Sequence, residues 1–124
     1  MNNVKGFPNI SIDKNIFFIE FARPNHESRV LKSWFVFDYN QYQEIIGLEI
    51  INLKLISGNR CLEKLYECFL GPQKYFKCSY DSETDSFYLT LSNDRSLDQK
   101  EVEGNIILDG DGHIVALRAD LRYQ

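Results

Sequence analysis

The chain has 124 residues, which suits one compact domain with an ordinary hydrophobic core. It is 44% hydrophobic and 14% aromatic, with only three Pro and seven Gly, and this composition excludes a disordered or low-complexity protein. The net charge is −4, and no basic stripe is present, so we expect no nucleic-acid partner.

The N-terminal residues, MNNVKGFPNI, lack the charged start and apolar core of a signal peptide. No apolar run approaches the roughly 20 residues that span a bilayer. The three cysteines form an odd set without a secretory signal, which predicts reduced thiols. We therefore expect a cytoplasmic protein with no membrane partner.

Apolar, β-branched and aromatic runs predict four strands in the first half, at residues 10–12, 16–22, 34–38 and 45–55. Gly47 lies inside the last of them, where a glycine often marks a bulge or a close approach. Next, Cys61, Leu62, Leu65, Cys68 and Phe69 recur at three- and four-residue spacing. This pattern predicts a helix over residues 59–70, with Asn59 as N-cap and Gly71-Pro72 as its end.

The second half repeats this strand pattern. A polar turn is expected at residues 80–85, an alternating strand at 86–92, a strand at 100–109 with a kink at 103–105, and a closing strand at 114–121. Asp109-Gly110-Asp111-Gly112 predicts a hairpin turn, because Asp-Gly supplies the positive φ that tight turns need. Hydrophobic pattern, order and spacing match between the halves, with residues 34–50 echoing residues 105–119.

These elements predict one α+β domain over residues 1–124. Two three-stranded antiparallel β-meander repeats, residues 10–57 and 79–124, would be related by a pseudo-two-fold axis and joined by the helix at 59–70. A single repeat is too short to bury a sufficient core alone, so the chain would fuse a pair of such units.

The second half resembles DUF2283, a small family of unknown function. The resemblance rests on Tyr80-Asp81 and Glu83, on the strand DSFYLTL at 85–91, on Ile106 to Asp109 with Asp111-Gly112, and on 114–117. It covers about 45 residues. The first half matches more weakly, through 35–38 and 45–50. The closing-strand Gly and Glu of the family stand here as Gly47 and Glu49 but become Ala116 and Arg118 in the second half. The resemblance implies a fold and no activity.

Acidic turns are the main candidates for chemistry. Asp109 and Asp111 with His113 invite a metal interpretation, but no Glu completes a calcium loop, so a hairpin turn is favoured. Asp81, Glu83 and Asp85 favour a solvated turn.

The cysteines favour a structural interpretation. Cys61 and Cys68 lie two helical turns apart, about 10 Å, which is too far for a disulfide. Cys78 is the thiol we expect to be most exposed.

No catalytic, cofactor-binding or metal-binding residue is assigned, and no cofactor is expected. Glu49 and Arg118 hold equivalent positions, and a pseudo-two-fold axis through the closing strands would join them in a salt bridge. The candidate residues for a site or interface are Asp38, Glu49, Tyr80, Tyr88, Asp109, Asp111, His113 and Arg118.

The predicted function is a non-enzymatic protein-interaction module, with an antitoxin-like or inhibitor role as one form. Surplus tyrosines and the absence of a catalytic motif favour it. Two alternatives stay open. One is a small-ligand or metal-binding protein or enzyme in which Asp38, Asp109, Asp111 and His113 converge. The other is a homo-oligomeric protein that pairs through a sheet edge.

Overall fold

The computed structural model describes residues 9–13, 15–23, 28–58, 60, 62 and 77–123. Within them lie eight strands, one short α-helix and one 3₁₀ turn. In chain order these are β1 (Asn9–Ile12), β2 (Ile16–Glu20), β3 (Arg29–Tyr39), β4 (Ile45–Ile51), α1 (Leu53–Ser57), β5 (Lys77–Asp81), β6 (Ser86–Thr90), β7 (Asp98–Leu108), β8 (Ile114–Asp120) and the 3₁₀ turn (Leu121–Tyr123). No helix in the described part of the chain has the length and apolarity needed to cross a membrane.

All eight strands form one antiparallel sheet that curls into half a barrel, in the order β1-β2-β8-β7-β3-β4-β6-β5. When β1 to β4 are matched in turn with β5 to β8, this order reads the same from either end. β3 and β7 pair along their whole length, from Arg29 opposite Leu108 to Tyr39 opposite Asp98. Trp34 and Glu103 face each other at the middle of this pair, which is also the middle of the sheet.

The predicted α+β class is wrong, because the described chain is nearly all sheet. The two three-stranded meanders are wrong as well. β2 does not pair with β3 but with β8, and β6 pairs with β4 rather than with β7. Hydrophobic alternation identifies which face of a strand is buried, but not which strand lies beside it. The pairing of β2 and β6 with strands of the other half could therefore not be predicted from their sequences. The predicted helix at 59–70 lies outside the described residues except for Arg60 and Leu62.

Most predicted strands and the turn at 80–85 are confirmed with shifted ends, and two local predictions are wrong, the C-terminal part of the strand at 45–55 and the kink at 103–105. The strand at 45–55 ends at Ile51, because Asn52 takes a left-handed φ of 56° and α1 begins at Leu53. The turn at 80–85 begins two residues later, since β5 extends to Asp81. The kink expected at 103–105 lies instead between Ile107 and Leu108, where the β7–β8 register shifts.

The core lies on one face of the sheet, where alternate residues of each strand point inward. Four phenylalanines are fully buried there, and Phe17 packs edge-on against Phe37 with ring centroids 5.0 Å apart. The buried phenylalanines are Phe17, Phe35, Phe37 and Phe87. A Cβ atom on Gly104 would lie 2.4 Å from the Phe35 ring, so glycine leaves the space which that ring fills. We call the opposite side of the sheet the outer face.

Candidate functional site

Asp109 shapes the turn between β7 and β8. Its carboxylate is buried, and Oδ1 accepts hydrogen bonds from the backbone N–H groups of Asp111 at 2.9 Å and His113 at 3.0 Å. The backbone N–H of Asp109 donates to the His113 carbonyl at 2.9 Å, and Gly112 supplies a positive φ of 87°. The predicted hairpin turn is therefore confirmed, and Asp109 has a structural role within it.

The same turn brings together three groups that can act as metal ligands. Asp109, Asp111 and His113 each offer one ligand atom, and these atoms lie within 4.8 Å of one another. Asp109 Oδ2 is 3.6 Å from His113 Nδ1, and the His113 side chain is only 14% exposed. Carboxylate and imidazole ligands in this number suit a divalent cation with open coordination positions.

Asp38 does not join this group. It lies near the other end of the β3–β7 pair, where Oδ1 accepts hydrogen bonds from Ser96 Oγ at 3.2 Å and Gln99 Nε2 at 2.7 Å. Nine residues of strand separate its level from that of Leu108, which is roughly 30 Å. The four groups that the enzyme alternative needs therefore do not converge.

Tyr80 and Asp85 anchor α1 to the sheet. The Tyr80 hydroxyl donates to Asp85 Oδ1, and the same carboxylate accepts the backbone N–H groups of Lys54 at 2.8 Å and Leu55 at 3.0 Å. Burial acts to raise the pKa of Asp85, but these hydrogen bonds and the Lys54 charge outweigh it, and the pKa lies below its usual value. Lys54 Nζ also lies 5.0 Å from the centre of the Tyr80 ring. Tyr80 therefore has a structural partner.

Two other predicted groups offer little chemistry. Asp81 Oδ1 accepts the backbone N–H of Glu83 at 2.9 Å, and both residues are exposed, as expected for a solvated turn. Cys78 is half-buried, and burial raises the pKa of its thiol to about 11. A thiol with this pKa is protonated at neutral pH and is a poor nucleophile. Cys61 and Cys68 lie outside the described residues.

Glu49 and Tyr88 lie side by side on the outer face. Glu49 stands opposite Val36 of β3 on one side and opposite Tyr88 of β6 on the other. Next to Val36 on the same face is Trp34, which is 48% exposed, and Tyr88 is 39% exposed. The central strands therefore carry an apolar and aromatic surface with a carboxylate inside it.

Arg118 occupies the opposite quarter of this face. It stands between Phe18 of β2 and Asn105 of β7. The predicted salt bridge between Glu49 and Arg118 is wrong, because β3 and β7 separate their strands. The two residues are roughly 14 Å apart across the sheet and roughly 13 Å apart along it. Within the described chain, neither side chain forms an ion pair.

Trp34 is the surface residue that the sequence analysis did not single out. The signal was present, since Phe35 and Phe37 are buried, and alternation along a strand then directs Trp34 and Val36 to the other face. The run WFVFD is apolar on both sides, however, so periodicity alone does not identify the exposed side.

Two clefts at the β3–β4 end of the sheet hold none of the predicted site residues. The larger, of about 590 Å³, is lined by residues that include Ile12, Tyr39 and Lys100, and Lys100 Nζ lies 5.1 Å from the centre of the Tyr39 ring. The smaller, of about 270 Å³, lies beside Tyr42 and Arg95. Both linings combine aromatic with charged groups, with Glu44 in the larger cleft and Asp94 in the smaller.

Residues 77–117, from β5 into β8, match the model of DUF2283, a family described as a protein of unknown function. This confirms the resemblance of the second half. No curated protein and no solved structure matches the chain. The family match carries no activity.

Proposed function

We propose that this chain is a non-enzymatic, cytoplasmic protein-interaction module that binds a protein through its outer face. The observation that carries the proposal is Trp34, which is 48% exposed at the centre of the eight-stranded sheet. Tryptophan is the residue type most enriched among those that dominate binding energy, and such residues cluster near the centre of an interface. If the outer face covers a functional surface of its partner, binding inhibits the partner, and the protein then acts as an antitoxin-like or inhibitor protein.

The neighbours of Trp34 support an interface. Val30, 60% exposed, lies on the same face of β3, and Tyr88 lies two strands away. Glu49 and Arg118 place charges around this apolar centre. An apolar and aromatic centre with a charged rim is the usual anatomy of a protein interface.

An internal repeat is part of the proposal. We infer that both halves derive from one DUF2283-like unit, with only the second close enough to match the family model. Two features support the inference. The strand order reads the same from both ends, and β3 and β7 share one burial pattern over 11 residues each.

The experiment is site-specific photo-cross-linking in cells. A photoreactive residue in place of Trp34 should give a discrete adduct with another polypeptide, detected by gel mobility and identified by mass spectrometry. Replacement of Glu83, which is exposed in the β5–β6 turn, is the matched control and should give none. Absence of an adduct from position 34 in a correctly folded chain would overturn the proposal.

Metal binding at the β7–β8 turn is the second candidate function. The observation that favours it is the proximity of Asp109, Asp111 and His113. Because Asp109 also holds the turn, a substitution there has to separate the two roles. Asp109→Asn does so, because it keeps the side-chain oxygen that accepts the two backbone hydrogen bonds and removes the charge.

A further inference from the structure

Two rows of side chains on the outer face carry opposite charges. At the level of Val36 lie Glu101 of β7 and Glu49 of β4, and at the level of Lys32 lie Asn105 of β7 and Arg118 of β8. The first row is acidic, and the second is basic. The two rows lie on either side of Trp34 at equal distances of two residues.

Only one residue of the two charged rows, Lys32, forms an ion pair within the described part of the chain. Lys32 Nζ lies 3.9 Å from Glu103 Oε1, a pair that is largely exposed and so contributes little. Glu49 and Arg118 have no ion-pair partner in the part of the chain that the structure describes. The pKa of Asp120 is lowered mainly by its hydrogen bond from Arg122 and also by the charge of Arg118, so Arg118 shares this carboxylate without forming an ion pair with it. Glu49 and Arg118 therefore place opposite charges on the two sides of one exposed tryptophan.

We propose that the outer face binds a second copy of this chain, with Glu49 of each chain against Arg118 of the other. This inference rests on the proposed function and names its partner. Charge complementarity selects the second copy, because one face carries both the acidic row and the basic row that would cover it. A face with charge of a single sign would instead repel its own copy.

The geometry fits a known way of packing sheets. In the proposed dimer the outer faces of the two copies oppose each other, and a two-fold axis lies between the two sheets. When this axis is perpendicular to the line from Glu49 to Arg118, Glu49 of each chain lies against Arg118 of the other. Since that line runs roughly 14 Å across the strands and roughly 13 Å along them, the strands of the two sheets cross at roughly a right angle. Trp34 lies within a strand spacing of the axis, so the two tryptophans meet at the centre.

The test is a charge exchange in the full chain, followed by sedimentation equilibrium. The natural chain should dimerise in a salt-sensitive way. Glu49→Arg and Arg118→Glu should each raise the dimer Kd at least tenfold, which is an effect of about 1.4 kcal/mol. The double variant should return the Kd to within about threefold of the natural value. Within one chain the two residues are too far apart to pair, so this rescue requires contact between chains.

Glu83→Arg makes the same charge change away from the outer face and should leave the Kd unchanged. If a charge reversal fails to fold, Glu49→Gln and Arg118→Gln replace it, and each should weaken the dimer. A natural chain that stays monomeric at about 1 mM, or a dimer insensitive to these changes, overturns the inference. An adduct of position 34 with a different protein, together with a monomeric chain, would overturn the second copy and leave the proposed function standing.

Discussion

The β3–β4 and β7–β8 hairpins turn around equivalent buried polar side chains. Asn40 Oδ1 accepts hydrogen bonds from the backbone N–H groups two and four residues later, at 2.9 and 3.0 Å. Asp109 Oδ1 accepts from the same two positions at 2.9 and 3.0 Å. The two turns differ in the second atom of the side chain. The Asn40 amide nitrogen donates to Glu44 Oε1 at 3.0 Å, whereas Asp109 Oδ2 faces His113 Nδ1 at 3.6 Å.

The second atom of the side chain is thus a donor in Asn40 and an acceptor in Asp109, and the residue that it faces is a carboxylate in one turn and an imidazole in the other. The turn requires an acceptor at the first side-chain oxygen, and it forms with a neutral amide as well as with a carboxylate. The negative charge of Asp109 is therefore not needed to make the turn. Equally, an acidic residue here does not by itself indicate a metal, because the Asn40 turn has the same backbone hydrogen bonds.

The hairpins also differ inside the core. Phe35 and Gly104 are each the seventh residue of their 11-residue strands, β3 and β7. Phe35 is fully buried, and its ring fills the space above Gly104. One half supplies the volume and the other leaves room for it, so the core depends on the two strands being different at this position.

Gly104→Ala should break this arrangement and have the largest effect. The new Cβ would lie 2.4 Å from the Phe35 ring, and both sides of the contact are backbone or buried ring. Overpacking of this kind should lower the free energy of unfolding by about 3 kcal/mol. Chemical denaturation monitored by circular dichroism measures it, and adding Phe35→Leu should recover part of the loss.

The matched control is Gly47→Ala in the first hairpin. There the new Cβ would lie 3.1 Å from Asp38 Oδ2 and 3.4 Å from the Leu89 carbonyl, and the equivalent residue of β8 is already Ala116. The expected loss is under about 1 kcal/mol. Equal losses from both substitutions would contradict the proposed difference between the two strands.

Asn40→Ala and Asp109→Ala should follow, with losses of about 2 kcal/mol each. Each removes the acceptor for two backbone N–H groups in a buried turn. Asp109→Asn should cost under about 1 kcal/mol, because Asn40 performs the same role as an amide. Denaturant unfolding measures all three.

Asp109→Asn also tests the metal alternative at nearly constant stability. If the β7–β8 turn binds a divalent cation, calorimetric titration of the natural chain with Zn²⁺ gives a signal that this variant loses. If the natural chain gives no signal, metal binding at this turn is contradicted.

Much of the local structure was predictable because its signals are local. Asp109 to Gly112 predicts its turn from composition, and the alternation of Phe87, Leu89 and Leu91 predicts β6. α1 was missed because Leu53 to Ile56 carries an apolar pattern that a strand also shows. The start of α1 is held by Asp85, 31 residues after Lys54, from whose backbone N–H its carboxylate accepts a hydrogen bond. Strand neighbours and caps from distant residues are properties of the assembled sheet.

A loss smaller than those of the two alanine substitutions in the turns is expected at Asp85, which stands before β6 as Asn15 stands before β2. The backbone carbonyls of both residues accept a hydrogen bond from the start of a short helix, from Leu53 in one case and Leu121 in the other. Only Asp85 adds a carboxylate that binds Lys54 N–H and the Tyr80 hydroxyl. Asp85→Asn should therefore lower the free energy of unfolding at pH 7 by about 1 kcal/mol.

The sign of the pH dependence follows from the lowered pKa of Asp85 in the folded chain. Its stabilising contribution is complete above the ordinary carboxyl value of 3.8 and is lost as the pH falls through the lower folded value. The stability difference between the natural chain and Asp85→Asn should thus be constant near neutrality and shrink below about pH 4. Asn15→Ala should show no such dependence, since Asn15 does not titrate. A difference for Asp85→Asn that persists unchanged to pH 2 would mean that shape rather than charge at Asp85 holds α1 against the sheet.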